Sequence, residues 1–137
     1  MAAQMSTHSA LVHVMVLTAC ADSHIADEEI RQMTDMIGVW PVFRSYDVDN
    51  LSADIESTLA YLEREDGIDE LVQAVADVLP ARLAETAYAL ACDVAAADGT
   101  ATQAELEVLM IVRQALGVGR LPAAAIERGA RARAMTL

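Results

Sequence analysis

The sequence predicts an all-α fold: a single-domain bundle of about seven helices that contains an internal duplication of a helix-turn-helix unit. Alanine supplies 27 of the 137 residues, and 55% of the side chains are hydrophobic. Alanine has the highest helix propensity, and apolar residues recur in this chain at the three- and four-residue spacings of helical faces. A short acidic pattern also occurs twice. The length suits one domain, residues 1–137, with a core of its own.

The internal repeat covers about residues 7–39 and 83–118. Residues 19–30 align with residues 95–106 without a gap, at an offset of 76 positions. Each copy is expected to form a helix, a tight turn and a second helix. In this register two pairs of acidic residues coincide, Asp22 with Asp98 and Glu29 with Glu105.

In the first copy, residues 11–21 are apolar nearly all round, so this helix should lie at the centre of the core. Asp27 is the better N-cap candidate for the second helix, because Ala26 lacks a capping oxygen. Trp40-Pro41 should end that helix, since the residue before a proline is disfavoured in the α region. Gly38 and its counterpart Gly117 are expected to be helix C-caps.

Two helices should follow before the second copy. Asn50 or Ser52 can start the third helix, and the Asp66-Gly67 turn leads into the fourth. Pro80 suits the first turn of the fifth helix. The sixth should begin with a capping box formed by Thr102 and Glu105. A seventh, basic helix is expected over about residues 121–134.

The charge excludes several classes of partner. Nine arginines stand against 21 acidic residues, for a net charge of -12. Nucleic-acid and anionic-membrane binding are therefore not expected, because both need basic surfaces. Residues 120–137 alone carry +3. The basic C-terminal helix should either pair with the acidic body or serve as a docking tail for a protein partner.

The apolar segment 11–21 resembles part of a secretory leader. No Lys or Arg precedes Arg31, and His13 interrupts the segment, so we expect a cytoplasmic protein with no direct membrane insertion. Cys20 and Cys92 should be buried, reduced thiols, and His13 should be a hydrogen-bonded core residue. We expect a stripe of methionines to fill the core, Met33, Met36 and Met110.

Asp22 and Asp98 are predicted to lie at the C-terminal ends of helices. The helix dipole makes this position unfavourable for a carboxylate by about 0.3 to 1 kcal/mol. Two explanations stand side by side. The aspartates accept backbone N–H groups in Asx turns, or each joins the Glu seven residues later and the free helix carbonyls in binding a divalent cation of the Ca²⁺ or Mg²⁺ class. An EF-hand does not fit, because Gln103 stands where its loop needs glycine.

Enzyme motifs are absent from the sequence: it contains no HExxH, P-loop, GxSxG or GxGxxG pattern. No nucleophile or general base stands out, so we do not predict an enzyme. His24, in the first acidic turn, is either an exposed turn residue or an additional metal ligand.

The doubled motif resembles the tellurite-resistance TerB-like family. The resemblance rests on residues 21–30 and 97–106, each following an alanine-rich helix, and covers most of residues 7–119. It implies an all-helical, duplicated, acidic protein that binds divalent cations and serves in stress-response or scaffolding complexes, some of them at membranes. The implied metal ligands are Asp22, Glu29, Asp98 and Glu105. The first copy departs from the pattern at Ser23 and Ala26, where the second has Gly99 and Thr102.

The combined prediction is a non-enzymatic, acidic TerB-like module that binds divalent cations at its Asp/Glu turns and serves in tellurite or stress resistance. Its partner would be a protein, basic or membrane-associated, and self-association into a homo-oligomer is compatible with the sequence. The alternative is a purely structural helical adaptor without a metal site, whose acidic face docks a basic partner.

Overall fold

The computed structural model describes residues 5–22, 25–97 and 99–137, without the side chain of Asp22. This part of the chain contains seven α-helices and no strand, which confirms the predicted all-α class. Four short 3₁₀ helices lie at Cys20–Asp22, Pro41–Phe43, Val48–Asn50 and Ala81–Leu83. The α-helices are α1 (Thr7–Ala19), α2 (Asp27–Val39), α3 (Leu51–Leu62), α4 (Gly67–Val78), α5 (Ala84–Ala96), α6 (Gln103–Leu116) and α7 (Arg120–Ala134).

Helix α1 is the centre of the bundle. Every residue from Ala10 to Ala19 is buried, and the helix packs against α3, α4, α5 and α6. A helix that is apolar on all sides can hide its surface only if neighbours cover every face. The predicted central position of this segment is confirmed.

Helix α2 ends at Val39 for the predicted reason. Pro41 disfavours the α region at Trp40, which is extended at φ -71° and ψ 130°. Gly38, predicted to be the C-cap, instead lies inside the helix. This prediction was wrong because the proline terminates the helix without needing a left-handed residue.

Helix α6 ends as predicted on Gly117, which has the left-handed conformation at φ 70°. Its N–H and that of Val118 bond back to the last turn of the helix, Val118 to the Arg113 carbonyl at 3.0 Å. A residue with a side chain is strained in this conformation, whereas glycine adopts it readily.

Close backbone approach explains a second glycine, Gly67, at the start of α4. A Cβ atom built there would overlap the Tyr61 carbonyl oxygen of α3. Further along the chain, Pro80 was expected in the first turn of α5, but it does not lie there. It precedes the 3₁₀ helix Ala81–Leu83, and α5 begins only at Ala84.

The two predicted repeat units have matching helix bounds. Helices α2 and α6 begin at Asp27 and Gln103, which are equivalent in the alignment, and α1 and α5 end within one residue of equivalent positions. The duplication itself stays a prediction.

The basic helix α7 packs along α5. Arg133 Nη2 lies 2.7 Å from Asp93 Oδ1, and the Asp93 side chain is only 17% exposed. At least one of the C-terminal arginines thus pairs with the acidic body. None of the described helices is both long and apolar enough to span a bilayer.

Candidate functional site

Two of the four predicted metal ligands line the same cleft. Glu29 and Glu105 both contribute to a cleft of about 590 Å³. They occupy the same position of their helices, the third residue after the N-cap, in α2 and α6 respectively. The structure therefore places the first turns of α2 and α6 at one cleft.

The cleft carries more acidic than basic side chains. Glu28 and Asp35 add two carboxylates, and Arg31 is the one basic residue among the described lining residues. Arg31 lies 3.4 Å from Glu28, with both side chains well exposed to solvent, so this pair contributes little to stability.

Two helix C-termini also reach this cleft. Ala19 is the last residue of α1, and Ala97 is the C-cap of α5, and both line the cavity. The last carbonyl groups of a helix lack intrahelical partners and carry the negative end of its dipole. The N-terminal turns of α2 and α6 border the same cleft, and their positive dipole ends oppose this effect, so the excess negative charge of the cleft comes from its carboxylates.

Glu105 has a structural function in addition to its position in the cleft. Its Oε1 accepts a hydrogen bond from the Thr102 backbone N–H at 2.8 Å, while its own N–H donates to Thr102 Oγ1 at 3.1 Å. This is the predicted capping box, and it holds the Glu105 side chain at 9% exposure. An ionised carboxylate has about four lone-pair sites, so Glu105 can accept the capping hydrogen bond and also coordinate a cation.

Glu29 lies in the corresponding place without a capping box. The N-cap of α2 is Ala26, which provides no side-chain hydrogen bond. Asp27, predicted to be the N-cap, is instead the first helical residue. Its carboxylate interacts favourably with the positive end of the helix dipole, but it does not cap the helix. That prediction was wrong because the chain enters the helix at the position equivalent to Thr102. Glu29 forms no hydrogen bond or ion pair with another described side chain.

The other predicted ligands cannot be placed in the same way. The backbone of Asp22 ends the 3₁₀ helix Cys20–Asp22, whereas its side chain, His24 and Asp98 lie outside the described residues. Among the side chains that are described, no three or more His, Cys, Asp or Glu residues cluster in a way that could hold a metal ion. The cation site and the Asx turns both stay predictions.

A buried polar network that sequence reasoning only partly anticipated joins α1 to α3. His13, 2% exposed, lies with Nδ1 2.6 Å from Thr58 Oγ1. The Thr58 hydroxyl donates to the Asp54 carbonyl at 2.9 Å, so His13 Nδ1 must carry the proton of the shared bond. Burial lowers the pKa of His13, and the nearby Asp54 carboxylate opposes this effect only in part. The predicted core histidine is confirmed.

Asp54, which sequence reasoning missed, connects three segments. Its Oδ1 accepts a hydrogen bond from Ser9 at 2.7 Å and its Oδ2 accepts one from Tyr46 at 2.6 Å. Burial and the bond to Asp54 raise the pKa of the Tyr46 hydroxyl. These bonds fix the start of α1 and the segment before α3, so Asp54 has a structural role.

Both cysteines are buried free thiols, as predicted. Burial raises the pKa of Cys20 to about 11 and that of Cys92 to about 12. Since the thiolate is the reactive and metal-binding form, neither side chain is suited to nucleophilic chemistry at neutral pH.

One of the comparisons with known proteins gave a match. The family model described as tellurite resistance protein TerB matches residues 8–128, which include both acidic turns, all of α1 but its first residue, and the whole of α2 to α6. Searches of curated proteins and of solved structures returned no match. The match covers most of the chain, and we conclude that this protein belongs to the TerB family of tellurite-resistance proteins.

Proposed function

We propose that this protein is a non-enzymatic TerB-type module of tellurite or stress resistance, and that its acidic cleft binds one divalent cation. The observation that supports the proposal most is that Glu29 and Glu105 line one cleft, at which α1 and α5 both end. Family membership supports the stress-resistance role.

The chemistry of the cleft favours hard cations. Its described polar side chains are four carboxylates together with Arg31 and Gln32, and carboxylate oxygens are ligands that Ca²⁺ and Mg²⁺ prefer. Ca²⁺ takes roughly six to eight oxygen ligands, so two glutamates alone would bind it weakly. We propose that Asp22 and Asp98, which the sequence predicts at the C-terminal ends of helices, complete the ligand set together with water.

Thermal unfolding tests this proposal. The protein is treated with EDTA, and unfolding is followed with NaCl or with millimolar CaCl₂ or MgCl₂ at equal ionic strength. A ligand at about 100 times its dissociation constant adds about 2.7 kcal/mol to the free energy of unfolding, which raises the melting temperature by several degrees.

The informative variant is Glu29→Gln/Glu105→Gln. Glutamine can replace glutamate in a capping box, so the variant removes charge and retains the cap. Glu107→Gln on α6 is the matched control, because Glu107 is exposed and does not line the cleft. We expect the control to keep the full cation effect and the double variant to lose it. Equal effects in both would show general screening of a protein with net charge -12 and would refute the site.

Asp22→Asn and Asp98→Asn test the two remaining ligands separately. Each substitution should weaken the stabilisation by the cation. In EDTA it should change the free energy of unfolding by no more than about 1 kcal/mol. A retained effect in either variant would remove that aspartate from the proposed ligand set.

The second candidate function is a structural adaptor without a metal. The observation that favours it is the capping bond of Glu105 to the Thr102 N–H, which explains this glutamate without any ligand. If wild-type protein shows no cation-specific stabilisation, the adaptor is the better description, and its acidic face would dock a basic partner.

A cellular experiment tests the resistance role independently of the metal. A strain lacking the gene is plated on potassium tellurite and complemented with wild type, with Glu29→Gln/Glu105→Gln or with Glu107→Gln. The proposal expects rescue by wild type and by the control only. Failure of wild type to rescue would contradict the resistance role. The cation proposal would then be tested by the unfolding experiment alone.

A further inference from the structure

A second cleft, apolar and distinct from the acidic one, lies between α6 and α7. Both helices pack on α5, yet in the described part of the chain they make few direct contacts with each other. The gap between them forms a cleft of about 470 Å³, within the usual range for small-molecule sites. Small residues on α5 and α7 keep it open, Ala95, Ala96, Ala130 and Ala134.

Large apolar side chains around this cleft remain in contact with water. Leu106 and Met110 on α6 are 48% and 54% exposed, and Met135 after α7 is 77% exposed. The sequence predicted Met110 to be core, like Met33, which is 1% exposed. That prediction was wrong because α7 packs on α5 and leaves this face of α6 uncovered. An apolar occupant of the cleft would shield these side chains from water.

The charge of the cleft is opposite to that of the protein. Its lining includes Arg113 and Arg131 against a single carboxylate, Glu127, in a protein with net charge -12. Glu127 accepts a hydrogen bond from the buried Tyr88 hydroxyl at 2.6 Å, and Arg113 donates to the Val118 carbonyl at 3.1 Å. Arg131 is exposed and forms no hydrogen bond or ion pair with any described residue.

We infer that this cleft binds an amphiphilic monocarboxylate with an unbranched alkyl chain. The carboxylate pairs with the Arg131 guanidinium, which offers a bidentate match to it. The alkyl chain lies along the alanine-lined wall and covers Met110. The cleft is concave and lined by three helices. A narrow, flexible alkyl chain therefore fits it better than an α-helix of a partner protein, which is about 10 Å across. This inference does not depend on the proposed cation site.

Titration with sodium decanoate below its micellar concentration tests the inference. Calorimetry should show saturable binding of one decanoate per chain. In ¹H–¹⁵N spectra, the largest shifts should fall on cleft residues such as Cys92, Ala96 and Met110. Decylammonium, with the same chain and the opposite charge, should bind at least tenfold more weakly.

Matched variants locate the carboxylate. Arg131→Gln should weaken decanoate binding about tenfold, as expected for loss of a charge-assisted hydrogen bond. Arg128→Gln is the control, because Arg128 is an exposed arginine of the same helix that does not line the cleft; its affinity should stay within twofold of wild type. Ala134→Phe should fill the cleft and prevent binding while the circular dichroism spectrum is unchanged.

The inference would be overturned by no saturable decanoate binding, by equal binding of decylammonium, or by equal affinity of Arg131→Gln and Arg128→Gln. Spectral shifts confined to residues outside the α5, α6 and α7 cleft would overturn it as well.

Discussion

Glu29 and Glu105 line one cleft although 76 residues separate them in the chain. Each lies in the first turn of the second helix of its unit. Their shared location means that the negative charge of one unit acts on the other. Four predictions follow from this and from three other local features.

The first prediction concerns salt. In buffer free of divalent cations, raising NaCl from about 10 mM to about 100 mM shortens the Debye length from roughly 30 Å to 10 Å. Screening should stabilise the wild-type protein by weakening repulsion in the cleft. The rise in melting temperature should be smaller for Glu29→Gln/Glu105→Gln than for Glu56→Gln/Glu107→Gln, which removes the same charge from exposed positions. Equal rises would mean that the repulsion is spread over the whole surface.

The second prediction concerns the helix caps. Thr102→Ala removes the acceptor for the Glu105 N–H and should destabilise the protein by about 1 kcal/mol. Ala26→Ser introduces the missing capping oxygen at φ -84° and ψ 156°, an N-cap conformation, and should stabilise α2 by about 0.5 to 1 kcal/mol. Urea unfolding measures both. A destabilising Ala26→Ser would contradict the assignment of Ala26 as the uncapped start of α2.

The third prediction compares two glycines. Gly117→Ala forces a side chain into the left-handed conformation at φ 70° and should cost about 1 to 2 kcal/mol. Gly38→Ala places a methyl group in open space inside α2 and should stabilise the protein by about 0.5 to 1 kcal/mol. Opposite signs in chemical denaturation are expected, and like signs would show that one helix end is assigned incorrectly.

The fourth prediction concerns acid. Burial holds the pKa of His13 in the folded protein below its value in the unfolded chain, which is about 6.5. The unfolded state therefore takes up a proton first, and the free energy of unfolding should fall as the pH drops below about 6.5 towards the folded pKa. Above about 6.5 this contribution is complete and constant.

Urea unfolding between pH 4.5 and pH 7.5 checks the acid effect. His13→Gln should lower stability at neutral pH, since it disturbs the bond to Thr58, but it should remove part of the slope between pH 6.5 and pH 5. An unchanged slope would assign the acid sensitivity to carboxylates.

Local signals in the sequence accounted for several helix ends. Thr102 and Glu105 form the predicted capping box, and Gly117 the predicted C-cap. Trp40 ends α2 because of the proline that follows it. These features depend on a few neighbouring residues, so spacing alone identifies them. Asp27 was misassigned because α2 begins after Ala26, which has no capping oxygen, and Gly38 because the proline that follows Trp40 already ends the helix.

The sites depend on distances between helices, which spacing does not give. The alignment paired Glu29 with Glu105 but could not show that α2 and α6 contribute to one cleft. Met110 has the helical spacing of a core residue, and only the separation of α6 from α7 leaves it exposed. The sequence signal for the apolar cleft is the four-residue spacing of Leu106 and Met110, which puts both on one face of α6. In the structure both side chains are exposed.

The burial of α1 from Ala10 to Ala19 has a consequence for synthesis of the chain. This helix emerges from the ribosome first among the seven, yet much of its surface is covered by α5, which begins only at Ala84. During translation its apolar faces therefore stay uncovered until more than half of the chain has been made. Transiently exposed apolar surface promotes aggregation, so nascent chains should depend on holding chaperones, and truncations before α5 should be insoluble.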